Sequence, residues 1–385
     1  MASNRTKRTV LAFTASAFAA AAVLMATPAA AAETPGFRAD QIAQTAPADI
    51  GLQAGVEERI AHDDAAFIKV RFDDVVLGAR DTITVARPDG GESREYGPAD
   101  VADGGLWALS VEGDAAEVVL NDLPDGTEAA ARVAEYSRGL NDAELDARPA
   151  ADEPSPESIC GKDDSRSAPC YRDSEPLMYD AAQSVARLII DGESYCTGWK
   201  AGYNRFLTNN HCFSTGSEAR STEVQFGFEC VECGEPETRD PIKVSGANVL
   251  ATDYTLDFTL FTVDDPEAVA DLPALPIATG GASENEKVFI PGHPAGKPKR
   301  IAADSSSEQQ GSRCQVLDPA VHGRGWNTDL DYLCDTEGGS SGSPVIDRST
   351  GEVVGLHHLG GCPNQAVRMD RVWPYIRGYL ADDYT

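Results

Sequence analysis

Apolar and polar positions alternate in short runs over most of the chain, and the runs close on Asp-Gly, Gly-Gly or proline-containing breaks. "AAFIKVRFDDVVLGARDTITVARPDGG" and "GLWALSVEGDAAEVVLNDLPDGTE" show this period of two, the spacing of a strand with one buried face. Tight turns at the glycine pairs would join such strands. The pattern predicts a small antiparallel β-sandwich over residues 63–135, inside an N-terminal domain spanning 33–147. Just ahead of it, "GLQAGVEERIAH" suits a short helix. "RPAADEPSPESI", residues 148–159, has no hydrophobic period and reads as an exposed linker. Strand-like segments follow in quick succession over residues 160–385: "SVARLIID", "YCTGWKAG", "RFLTNN", "EVQFGFEC", "DFTLFTV", "KVFIPG", "SPVID" and "EVVGLHH". Turn signals separate them, which predicts an all-β barrel architecture. "MDRVWPYIRGYLADD" fits a C-terminal helix with Asp370 as its N-cap and Pro374 in its first turn.

Composition adds a compartment. The first residues carry Arg5, Lys7 and Arg8, then an alanine-rich apolar run, then small residues, the order of a secretory signal cut after Ala32. Residues 1–32 are therefore expected to be removed and the protein to be secreted. No later stretch approaches the ~20 apolar residues of a membrane span. All nine cysteines lie at or beyond Cys160, and export favours their pairing in disulfides. Cys230 and Cys233 form a C-x-x-C, but no second pair completes a zinc site, so no metal or other cofactor is expected. A net charge of −30 opposes nucleic acid and anionic membranes as partners. The expected partners are protein or peptide substrates, met by a monomer.

Nucleophilic chemistry at serine needs a base, a carboxylate to orient it, and backbone donors for an oxyanion. His211 follows an apolar strand in "FLTNNHC", with Cys196 one hairpin earlier. Asp257 opens the apolar run of "TLDFTLFTV", with Asp253 as a nearby competitor. Ser341 sits among glycines in "GGSSGSP", where Gly339 and Gly342 allow a tight turn and close backbone approach. The oxyanion donors would be the N–H groups of Gly339 and Ser341. Glycine and serine at this density also suit a flexible spacer, yet a spacer seldom leads into two buried strands.

In this order and context the motifs resemble those of the secreted bacterial serine endopeptidases related to lysyl endopeptidase and the glutamyl endopeptidases. "LTNNHC", "DFTLF", "TEGGSSGSP" and "PGHPAGKPKRI" carry the likeness. The resemblance implies two six-stranded, chymotrypsin-like antiparallel β-barrels with the site in the cleft between them. It also implies His211 as general base, Asp257 as its orienter and Ser341 as nucleophile. The disulfides it suggests are Cys196 with Cys212, Cys160 with Cys362, and Cys170 with Cys230, for which Cys233 is an alternative. Cys314 with Cys334 would brace the nucleophile loop and has no counterpart in that layout. The N-terminal domain is similar to a leader domain and is expected to act as a propeptide, a folding aid or a plug over the cleft.

Specificity would reside in Asp335, Thr336 and Glu337, just before the serine, and in His357 of "GLHH". A buried acid in the pocket favours cleavage after Lys or Arg, because a cationic substrate neutralises it. The competing expectation is a glutamyl endopeptidase in which His357 and Thr336 hold a substrate carboxylate. A further alternative is an inactive protease-fold binding protein.

Overall fold

The segments that read as strands owe their regularity to what covers them. Val185–Ile190 and Phe258–Val263 are buried at every position, as strands packed on both faces must be. A computed structural model describes residues 41–124, 126–148, 158–306 and 313–381. The expected signal, 1–32, and residues 149–157 of the expected linker lie outside the described residues.

Six strands close into a barrel in the order Val185–Ile190, Ser194–Gly202, Arg205–Thr208, Phe258–Val263, Ile242–Asp253 and Glu223–Phe226. Leu188, Phe206, Val224, Phe226 and Phe261 fill it. The second half departs from the expected six-stranded barrel. It is an eight-stranded sheet running Arg166–Ser167, Arg300–Ala302, Val288–Gly292, Pro344–Asp347, Val353–Leu359, Asn364–Arg368, Asp329–Tyr332 and Val316–Val321. Its named strands do not form a closed ring among the described residues, although an antiparallel bridge between Lys287 and Gln315 and a backbone bond from Cys314 to Ala303 join the far end of the path back toward its start. Val316–Val321, which carries Pro319 and two register shifts against Asp329–Tyr332, is the last named strand of the path, and its first residue also exchanges backbone hydrogen bonds with Asn285 and Glu286. Trp199, Leu207, Phe258, Phe289, Ile346 and Leu356 pack the two halves together. The C-terminal helix, Met369–Ile376, plugs the same core with Met369, Val372 and Ile376. Its N-cap is Arg368 and not Asp370, which pairs instead with the Arg368 guanidinium at 2.8 and 3.0 Å. Pro374 consequently falls in the helix interior and not in the first turn.

Residues 43–139 form two further sheets. One pairs Ala43–Gly51, Ala130–Gly139, Phe67–Val76 and Leu106–Trp107, with Val111–Glu112 added to Phe67–Val76. The other pairs Glu57–Ala61, Ala115–Asn121, Thr82–Ala86 and Ser93–Tyr96. Ile68, Val70, Phe72, Ile83, Val118 and Val133 lie between them. The helix expected in "GLQAGVEERIAH" is in fact the strand Glu57–Ala61: Ile60 points inward while Glu57 and Arg59 stay exposed.

The N-terminal domain and the barrel belong to one compact unit. Glu223, with no exposure, accepts from Lys69 Nζ at 2.9 Å and from Ser110 N and Oγ at 2.8 and 2.7 Å. Lys243 of the barrel reaches back to Glu92 and Glu112 at 2.8 and 2.9 Å. A charge so deeply buried is tolerated because its partners are in place; removing one partner from a buried pair typically costs about 3–5 kcal/mol. Burial alone would raise the Glu223 pKa, but the ammonium groups of Lys69 and Lys243 and the hydrogen bonds from Lys69 and Ser110 outweigh it, giving about 2.

Three disulfides are formed: Cys160–Cys362, Cys170–Cys233 and Cys196–Cys212. Cys230 is not the partner of Cys170. It lies in a short bridge with Thr238, and the turn beyond it carries Cys233 to that position. Cys314 and Cys334, expected to be joined, are two buried free thiols. The Cys314 thiol approaches the Asp304 carbonyl at 3.2 Å, and burial pushes its pKa well above the usual thiol value.

Two outcomes follow. Alkylation of the denatured, unreduced protein should label Cys230, Cys314 and Cys334 alone; a peptide joining Cys314 to Cys334 would contradict this. Because the folded Glu223 pKa lies below the unfolded value of ~4.3, its stabilisation is complete above that value and is lost as the pH falls toward about 2. Thermal melts should show a smaller acid-induced loss of stability for Glu223→Gln than for the wild type between pH 5 and pH 2. Parallel curves would refute the assignment.

Candidate active site

The strand Arg205–Thr208 ends in a turn that carries His211 to the mouth of the barrel, and the Cys196–Cys212 disulfide pins that turn to the neighbouring strand. Asp257 immediately precedes the strand Phe258–Val263 and has a φ of 43°, a left-handed conformation that an aspartate tolerates better than most residues. One of its oxygens accepts from the His211 backbone N–H at 3.0 Å, and the other meets His211 Nδ1 at 2.8 Å. On the far side of the ring, His211 Nε2 lies 2.8 Å from Ser341 Oγ. Asp253, the competing acid, accepts from Leu256 N–H at 2.8 Å and serves its own turn.

Two residues that sequence reasoning passed over also meet Asp257. His358 Nδ1 lies 3.0 Å from the same oxygen that His211 contacts, and Arg324 Nη1 is 3.0 Å from the other. The second nitrogen of His358 contacts Asp329 at 2.6 Å. Burial would push the Asp257 carboxyl up, but hydrogen bonds and positive charge from His211 and His358 hold it well below the usual carboxylate range. Burial acts against protonation of His358, yet its two carboxylate partners win and raise its pKa. One signal for His358 was available: on a strand, neighbours 357 and 358 face opposite ways, so the doubled histidine has to serve two environments. Nothing local in "HGRGW" marks Arg324.

The loop that carries Ser341 is held by Thr197 of the first barrel. Thr197 N–H donates to the Ser341 carbonyl and its hydroxyl to the Gly339 carbonyl, both at 2.8 Å. Gly339 and Gly342 have φ values of 96° and 89°. A Cβ on Gly339 would lie 2.0 Å from the Tyr195 ring, and one on Gly342 would lie 2.0 Å from the Thr197 carbonyl oxygen. The glycines thus meet a steric requirement as well as a conformational one.

The residues expected to set specificity are not equivalent. Asp335 is 4% exposed, and its two oxygens accept from the backbone N–H groups of Cys160 and Asp164 at 3.0 and 2.8 Å. It fastens the backbone at Cys160 and Asp164, and burial raises its pKa. Thr336 is buried, with no hydrogen-bond partner for its hydroxyl among the described residues. Glu337 is half-buried. His357 is fully buried with Nδ1 2.5 Å from the Tyr332 hydroxyl, and burial followed by the charge of His358 and His211 takes its pKa down to about 3. Cys196, His211 and Cys212 approach one another closely enough to suggest a metal site, but the disulfide occupies both sulfurs. A cavity of about 950 Å³ at the junction of the N-terminal domain and the barrel is lined by Trp107, Asp191, Arg220 and Asp264, and by none of these site residues.

A closed six-stranded barrel packed on a second sheet, with histidine, aspartate and serine gathered beside them, is the architecture of the trypsin-like serine proteases. Residues 196–356 match the family described as the trypsin-like peptidase domain. The secreted RxLR effector protein 73 of Plasmopara viticola is 39% identical over 222 residues, 55% of this chain and 54% of that protein. The uncharacterized protein y4fB of Sinorhizobium fredii is 27% identical over 195 residues, 47% of this chain and 28% of that protein. The chain thus spans about half the length of the first of these relatives and less of the second. Among solved structures, a Glu endopeptidase in complex with MPD shares 20% identity over 58% of this chain and 99% of that one, with a TM-score of 0.42. The serine endoprotease from Yersinia pestis shares 14% identity over 54% and 66%, with a TM-score of 0.39.

Gly342→Ala should destabilise the fold by about 2 kcal/mol or more, since it combines a left-handed φ with a backbone clash. Gly351→Ala is the control, having a similar φ of 76° but only ordinary contacts beyond 3.9 Å. Equal losses of melting temperature in the two variants would rule out the steric contribution.

Proposed function

We propose that the chain is an exported serine endopeptidase that cleaves after Lys or Arg. The observation that carries this reading is the continuous line from Asp257 through His211 to Ser341, with hydrogen-bond distances of 2.8 Å on both sides of the imidazole. Ser341 Oγ attacks the scissile carbonyl carbon while His211 Nε2 takes its proton. The N–H groups of Gly339 and Ser341 receive the developing oxyanion. The proton on Nε2 then passes to the departing amine, and water, deprotonated by the same nitrogen, hydrolyses the acyl-enzyme. The buried Asp257 carboxylate fixes the ring orientation and favours the imidazolium formed at each step.

The basic preference rests on Glu337 and no longer on Asp335, whose oxygens are committed to backbone donors. A glutamyl preference would ask His357 to supply positive charge, and burial opposes its protonation. Three disulfides support export. In this reading the N-terminal domain spans residues 33–147, a linker covers 148–159, and the peptidase domain covers 160–385. One relative bears the name of an effector, which also suits a binding protein; the occupied His-Asp-Ser line argues against an inactive fold.

A fluorophosphonate should label Ser341 in the wild type and leave Ser341→Ala unlabelled. Turnover should fall by roughly 10⁴–10⁶ in Ser341→Ala, with an unchanged melting temperature. Among peptides differing only before the cut, Lys and Arg should outrun Glu, and Glu337→Gln should narrow the difference. Faster cleavage after Glu would reject the specificity, and absent labelling of the wild type would reject the enzyme.

A further inference from the structure

We propose that the N-terminal domain is a resident half of the enzyme, which buttresses the oxyanion loop through Arg148 and Ile42, and that it is not a propeptide to be discarded. The proposal rests on the endopeptidase reading for its catalytic consequence and on the interface alone for its docking.

The loop that would supply the oxyanion donors is supported from outside the peptidase domain. Arg148 directly follows the N-terminal domain, at the first position of the linker. Its Nη2 donates to the Ala295 carbonyl at 2.7 Å. Its Nη1 donates to the Gln41 carbonyl at 2.8 Å and to the Tyr195 hydroxyl at 3.2 Å, and its guanidinium sits 5.5 Å over the Tyr195 ring. Ala295 is a non-glycine residue with a φ of 56°, so its turn is strained and has to be held in place. Arg148 holds the carbonyl of that turn, while the Ala295 N–H donates to the Gly338 carbonyl at 2.6 Å. The path from Arg148 to the residue before Gly339 is therefore two hydrogen bonds long.

A second path runs through packing. Ile42 occupies the space beside Gly296, where an added Cβ would come within 2.3 Å of its methyl carbon. Ile42 and Ala43 pack with Phe67, Ile189 and Tyr195, and the Tyr195 ring in turn fills the space beside Gly339. Backbone ties fix the seat: Ile42 N–H donates to the Glu193 carbonyl at 3.0 Å, and Thr45 N–H to the Glu193 carboxylate at 2.9 Å.

These contacts are those of a support. They fall on Glu193, Tyr195, Glu223 and the turn at 295–296, while the His211 side chain stays one-third exposed. A plug would have to cover that ring. Departure of the domain would also take Lys69 and Ser110 away from the fully buried Glu223, leaving its strand with a charge that had lost two of its donors.

The test uses the full chain, with a recognition sequence for a site-specific protease inserted between Arg148 and Ser158. After the cut, the two pieces should co-elute on gel filtration and keep the turnover of the uncut chain. In the uncut chain, Arg148→Ala should lower kcat about ten- to a hundredfold with KM changed less than about twofold. It should weaken a peptide aldehyde, which binds as a tetrahedral adduct, by the same factor as kcat and leave the melting temperature unchanged. Arg148→Lys should recover part of the loss, since an ammonium still donates to the Ala295 carbonyl, and this variant carries the test if Arg148→Ala fails to fold. Separation of the pieces with full turnover in the C-terminal one, or wild-type kcat in both Arg148 variants, would overturn the proposal. A wild type without any turnover would count against the endopeptidase reading, and separation of the pieces would then by itself overturn residence of the domain.

Discussion

A carboxylate with no exposure to water has to be given donors by the protein, and Asp257 sets that requirement at the seam of the peptidase domain. Its oxygens meet the backbone and ring of His211, the ring of His358 and the guanidinium of Arg324. His211 comes from the closed barrel, His358 from the second sheet, and Arg324 from the connection between two strands of that sheet. Satisfying one buried acid therefore joins the two halves of the fold. The same acid sits behind the imidazole that faces Ser341, so registry between the halves and orientation of the His211 ring have one physical origin. Thr197 adds the complementary tie from the other direction, bonding the first barrel to the carbonyls of Gly339 and Ser341.

The parts of this arrangement that are local in sequence are legible in the chain itself. Eight strands of the peptidase domain show themselves as apolar runs closed by turn residues, because burial on both faces leaves little room for polar positions. Ile242–Asp253 does not: it is mostly half-exposed and carries Gly246, whose Cβ would meet the Ala219 carbonyl at 2.2 Å. His211, Asp257 and Ser341 each stand out by their immediate neighbours, and their meeting in space is a tertiary fact. The partners of Asp257 are not legible in the same way, since His358 and Arg324 acquire meaning only when the second sheet arrives. Asp335 shows the opposite failure. An acid six residues before the serine looks the same in sequence whether it faces a substrate or caps the backbone of Cys160 and Asp164, more than 170 residues away along the chain.

The N-terminal domain shows how far alternation goes and where it stops. Period two marks its strands, but the expected helix at 51–62 fails because Ile60 is a single inward residue with charged neighbours, a pattern shared by short helices and edge strands. Nothing in the pattern announces that Lys69 and Glu223, 154 residues apart, meet in the absence of water. Buried ion pairs across domains are written in no local period, and a lysine inside a strand reads as an outward-facing residue until its partner is known. The feature that most changes the meaning of this domain is thus the one least visible in the chain.

The disulfide between Cys160 and Cys362 spans 202 positions and encloses nearly all strands of the peptidase domain in one covalent ring, with the N-terminal domain hanging outside it. Closing a loop of that length removes about 5 kcal/mol of chain entropy from the unfolded ensemble. It also changes what a single nick can do. A cut anywhere inside the ring opens it into a longer string but releases no fragment, so the surface loops between strands can be severed once while every residue of the site stays tethered to the rest. Only a second cut frees a piece, and breakage of this half of the molecule is in that sense a two-hit process.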